Sequence, residues 1–217
     1  MLKTSLSTAL AFGFALAAAS AQTASAPAPR TFGFVTHASF YSLEAKEANL
    51  IDPQAFVADP AALAGPGPQG IVHAAGVRPA YRVDDPATPV VNAQGIALGF
   101  TLGAWFGARG SATLNDTGPA TVATCTFTGL VPNGRYSLFE NHFEASGVTF
   151  TPLDGTGAKN SFTAAADGRA AIEVAIPGGI SHAEGLLLIY HSDGLDHGLQ
   201  RGQPGLSAHH QLVIRVP

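Results

Sequence analysis

One cysteine, one tryptophan and one methionine are spread over 217 residues, and only 12% of the chain is charged. A single thiol, Cys125, excludes an intrachain disulfide, so the core must hold by burial alone. The lone Trp105 offers thin support for a carbohydrate-stacking platform. Basic residues are scarce, eleven against fifteen acidic, which argues against nucleic acid or an anionic membrane surface as a partner. The G-x-S-x-G elbow, the H-E-x-x-H metalloprotease motif and the P-loop are missing. After the first twenty residues, no run is apolar and long enough to span a bilayer.

Lys3, a mostly apolar run from Leu6 to Ala19, and the triplets Ala19-Ser20-Ala21 and Ala24-Ser25-Ala26 fit a secretory signal peptide. Residues 1–21 are therefore expected to be a leader, cut after Ala21 or alternatively after Ala26. The product would be exported, periplasmic or extracellular. Loss of Lys3 leaves ten basic residues against the fifteen acidic ones, a net charge of −5. Residues 22–30 read as a disordered Pro/Ala/Ser spacer. Residues 31–217 are long enough for one domain with a real core.

Phe32, Phe34 and Val35, then Phe40 and Tyr41, suggest a first strand. Asp52 before Pro53 and Asp59 before Pro60 look like helix starts, with an acid cap and a proline at the first helical position. From about Gly95 onward the chain reads as strand and turn. Strands are expected at 95–102, 121–128, 135–143, 170–176, 185–191 and 209–216. Turn residues such as Pro132-Asn133-Gly134, Asp167-Gly168 and Asp193-Gly194 separate them. Ile172, Val174 and Ile176 alternate with Ala171, Glu173 and Ala175, which calls for one buried face. The expected fold class is all-β: a Greek-key antiparallel sandwich, immunoglobulin- or dismutase-like, with short N-terminal helices.

Five of the eight histidines lie in the last 36 residues, at His182, His191, His197, His209 and His210. Imidazole is the commonest side-chain ligand for transition metals. Leu187 and Ile189 share a strand face with His191, and the opposite face carries Leu186, Leu188 and Tyr190. That is the pattern of a central strand, with His191 where it enters a loop. His210 should share the core face of Leu212 and Ile214, leaving His209 outward with Gln211 and Val213. Glu140, His142 and Glu144 fall on one face if their strand continues, as metal ligands or as a solvated outer face. The loop after His191 adds Asp193, Asp196 and His197 without EF-hand spacing. Cys125 falls on the face of Ala123 and Phe127, as a buried, inert thiol.

Gly129-Leu130-Val131-Pro132-Asn133-Gly134 after a strand resembles the G-L-x-P-G turn of copper–zinc superoxide dismutases and chordin-type domains. Leu187 to Gly198 is similar to the dismutase segment in which a strand ends in a copper-ligand histidine and enters an acidic, glycine-rich loop. The resemblance implies a Greek-key sandwich with His191 as the copper ligand. Where dismutases carry H-x-H, this chain has Tyr136-Ser137-Leu138. The reading is an exported binding module coordinating copper or zinc through His191 with His142, His197, His209 and Glu140. The alternatives are a dismutase-like oxidoreductase and a structural or adhesion domain without metal. Nothing in the sequence names a protein partner.

Overall fold

Turn chemistry and period-two alternation dominate the chain. In a computed structural model, which describes residues 27–145, 147–181 and 184–216, it is mostly antiparallel β-sheet with little helix. β1 (Arg30–Gly33) and β2 (Val35–Thr36) lead into helix α1 (His37–Ala45). β3 (Ile51–Ala58), β4 (Gly65–Pro66), β5 (Val72–His73), β6 (Val77–Tyr81), β7 (Pro89–Val91) and β8 (Ala97–Thr101) follow, then helix α2 (Leu102–Gly107). The second half runs through β9 (Arg109–Asp116), β10 (Ala120–Thr128), β11 (Arg135–Glu144) and β12 (Gly147–Pro152). It ends with β13 (Ser161–Thr163), β14 (Ala170–Pro177), β15 (Glu184–His191) and β16 (Ala208–Arg215). The expected leader, residues 1–21, and residues 22–26 of the expected spacer lie outside the described residues, as does His182.

Two sheets enclose the main core. The first has the order β1-β9-β10-β14, and the second β12-β11-β15-β16-β2 with β13 paired to β11. Ala123, Cys125, Phe127, Val174 and Ile176 of the first meet Leu138, Leu186, Leu188, Leu212 and Ile214 of the second. The alternation in β14 holds: Val174 and Ile176 are buried while Ala171, Glu173 and Ala175 face out. The chain passes from the first sheet to the second at β1–β2, β10–β11 and β14–β15, and returns at β13–β14. β10 and β14 are neighbours in the first sheet, and β11 and β15 in the second. Between β10 and β11, Gly134 has no room for a side chain, since a Cβ would stand 2.8 Å from the Val131 oxygen and 3.0 Å from the Tyr136 ring.

β15 is central, between β11 and β16, and both its faces are buried. Its second face joins Leu187 and Ile189 to Phe139, Ala208 and Val213, with Phe40 of α1 packed on top. A third sheet, β6-β3-β7-β8, was not expected from sequence. The Asp52 and Asp59 motifs do not start helices. Asp52 lies in β3, where Oδ1 accepts from the Gln54 and Ala55 N–H groups at 2.9 and 3.1 Å. Those are the bonds of a helix cap, here stabilising an irregularity in β3 between Asp52 and Phe56. Asp59 Oδ1 accepts from Ala61 N in a turn. The helix forms instead over Phe40 and Tyr41, with the Thr36 hydroxyl accepting from Ser39 N and Lys46 ending it at φ 55°.

The expected faces of His209 and His210 are reversed. Leu188 pairs with Leu212, but Ile189 pairs with His210, so Gln211 is an extra residue in β16. A slip of one residue moves every later side chain to the other face. His209 therefore points to the sandwich side, against Tyr190 and Trp105, and His210 to the outer side, against His37 and Phe150.

Candidate metal centre

His191 ends β15, and the loop turns back at once. Gly194 N bonds the His191 carbonyl at 3.1 Å, and Asp193 Oδ1 accepts from Leu195 N at 3.1 Å. This Asx-type turn returns His197 to the strand end, its Nε2 3.0 Å from Asp193 Oδ2. The rings of His191 and His197 are 4.9 Å apart between centroids. One ligand atom from each of His191, Asp193 and His197 lies within 4.8 Å of the others. Ligands around a tetrahedral zinc stand ~3.3 Å apart, given ~2.0–2.1 Å bonds. Small rotamer changes would close the gap.

His191 is 1% exposed. Its Nε2 lies 2.6 Å from Ser137 Oγ, and Nδ1 has no hydrogen-bond partner. Burial, with His197 second, pushes its pKa down to about 4, so the ring is neutral at pH 7, the form that binds metals. Arg135, paired with His191 across β11 and β15, forms a bidentate ion pair with Asp196 and reaches Thr163 Oγ1 at 3.0 Å. Gly157 (φ +74°) packs on the same loop, where an added Cβ would strike the Gly198 carbonyl and come 2.7 Å from Leu199 N.

Glu140 and His142 meet Glu184 elsewhere, again with one ligand atom each within 4.8 Å of the others. His142 Nδ1 is 3.4 Å from Glu184, and its Nε2 lies 2.8 Å from Thr151 Oγ1. Glu140 is 7% exposed, with Oε1 unpartnered. Burial, reinforced by Glu184, lifts its pKa to about 7. These residues line a cavity of about 350 Å³ closed on one side by Pro177 and Gly178.

One shared centre is thus replaced by two. β11 and β15 are antiparallel, with Arg135 opposite His191 and His142 opposite Glu184. The seven steps from Glu184 to His191 span ~23 Å at ~3.3 Å per residue, so Glu140 and His142 stand beyond reach of His191. His209 is occupied: Nδ1–H donates to the Gln54 carbonyl at 2.8 Å, and Nε2 is 3.1 Å from Ser192 Oγ. Glu184, the third member of the second cluster, is not singled out in the sequence. Pairing 135–144 against 184–191 was the signal that would have found it. Comparison with family models, curated proteins and solved structures gave no match.

Proposed function

We propose that this chain is an exported metal-binding domain that holds zinc or copper through His191, Asp193 and His197. The observation that carries the reading is the convergence of these three groups at the end of a buried central strand, where one His191 nitrogen lacks a partner. Two imidazoles and a carboxylate suit borderline divalent metals, and three protein ligands leave a fourth position for water or another donor. With Nδ1 on the metal, the proton sits on Nε2 and donates to Ser137 Oγ, which fixes the tautomer. The crossings from β10 to β11 and from β14 to β15, between strands adjacent in each sheet, support a Greek-key sandwich of dismutase or chordin type. Against the dismutase reading, Tyr136 and Leu138 stand where H-x-H has its histidines, and Ser137 between them bonds His191.

Melting of untagged protein tests the reading. Zinc or copper at a hundred times its Kd should stabilise the fold by ~2.7 kcal/mol, with a 1:1 metal content by elemental analysis. Asp193→Asn with His197→Gln should abolish the rise, and His142→Ala should leave it. A wild-type melting curve indifferent to both metals overturns the reading.

A further inference from the structure

A cavity of about 760 Å³ lies on the outer face of the second sheet, between that face, α1 and the loop after β15. Phe40, Phe143, Phe150, Ile71, Leu206 and Val213 supply apolar wall. Two charged side chains line it, Arg201 and Glu44. Glu44 is held by Arg215 at 2.9 Å. Arg201 has no such partner, since among the described residues no carboxylate oxygen lies within 4 Å of it. Its guanidinium lies 3.4 Å from the centroid of the Phe150 ring, and Nη1 is 3.1 Å from His210 Nε2. Behind it the lining is polar but neutral. Gln69 lies 3.4 Å from His37 and accepts from Gln54, while His37 Nδ1 and Asn141 Oδ1 are buried without partners.

A cation held on an aromatic face of an apolar cavity, with no carboxylate of the described residues within 4 Å, is an incomplete ion pair. Guanidinium forms its strongest bonds with planar anions, and apolar walls favour a ligand with a hydrophobic body. A phosphate-rich ligand would need more than one cation, and a neutral lipid would leave Arg201 unpaired. We propose that this cavity binds a small amphipathic monocarboxylate, its carboxylate on Arg201 and its aliphatic or aromatic body along Phe40, Phe143 and Phe150. His37 Nδ1 remains as a further contact for the head, and Asn141 Oδ1 as an acceptor for a hydroxyl or amine substituent beside it.

Calorimetric titration of the full exported chain with dodecanoate, dodecanol and acetate tests this, in EDTA so that the outcome does not depend on the metal reading. Dodecanoate should bind 1:1, with dodecanol ~10- to 100-fold weaker, the worth of a hydrogen bond to a charged group. Acetate should show no measurable binding, because it lacks the body. Arg201→Gln should remove the preference for dodecanoate over dodecanol, and Arg201→Lys, which keeps the charge, should retain part of it. Equal binding of acid and alcohol by the wild type, acid binding unchanged in folded Arg201→Gln, or no binding of dodecanoate at millimolar concentration would each overturn the proposal.

Discussion

Replacing Glu140 with Gln should stabilise this protein at alkaline pH and leave it unchanged in acid. In the folded chain the Glu140 carboxyl, buried beside Glu184, has a pKa raised from 4.5 to about 7. A folded pKa above the unfolded value means that the native state holds the proton longer. The associated stability is fully present below pH 4.5 and is lost as pH rises through 7. At ~1.4 kcal/mol per pH unit, the gap between 4.5 and about 7 comes to about 3 kcal/mol. Gln has the shape of the protonated acid and does not titrate. The variant should match wild type near pH 4.5 and gain up to about 3 kcal/mol by pH 8. For a domain of this size that is roughly 6–12 °C in Tm. Urea titrations at pH 4.5, 6, 7 and 8, with the slope m checked for constancy, measure it. A stability difference that is flat across this range would refute the argument, because a purely steric effect of the amide has no reason to follow a titration.

Val174→Asp places a carboxylate on the inward face of β14 among Ala123, Cys125 and Ile176, and should cost about 3–5 kcal/mol. A Tm within a degree or so of wild type would contradict the packing of the two sheets. Gly157→Ala forces a side chain onto a positive-φ position against Gly198 and should displace the loop that carries His197. Its metal-induced rise in Tm should fall well below that of wild type while the far-ultraviolet circular dichroism stays the same.

The second half of the chain is legible because local pattern and burial agree there. In β14 every second residue is aliphatic and the others are Ala or Glu, and in β15 both rows are apolar, so single-faced and central strands declare themselves. The third sheet is not legible, because β3 is buried along nearly its whole length yet carries Asp52, Pro53 and Gln54. Their polarity is satisfied from far away: Trp105 Nε1 donates to Asp52 at 2.8 Å, and Gln54 donates to Gln69 and accepts from His210 N. No window of neighbouring residues contains those partners. The histidine cluster is legible as a place, since His191 ends its strand as the alternation requires. Its membership is not. Gln211 bears no mark of a bulge, yet that one residue exchanges the faces of His209 and His210.

The same bulge explains why one loop serves two sites. With His210 turned outward, Arg201 of the loop from Ser192 to Ser207 rests on His210 and Phe150. The loop is tied at both ends. Ser192 N bonds the Ser207 carbonyl at 2.9 Å, Ser192 Oγ bonds Leu206 O at 3.1 Å, and Gly205 O accepts at 2.8 Å from Ala93 N, in the connection between β7 and β8 of the third sheet. The Gln203 carbonyl accepts from Leu206, Ser207 and Ala208 N–H groups, which folds the return limb on itself. The Arg201 end is therefore anchored to two sheets, whereas His197 is held by Asp193 and by the close approach of Gly157 to Gly198. Disturbing Gly157 should loosen the metal ligand and spare the anion-binding cation. The two proposed activities are thus separable by mutation although sixteen consecutive residues, 192–207, carry part of both.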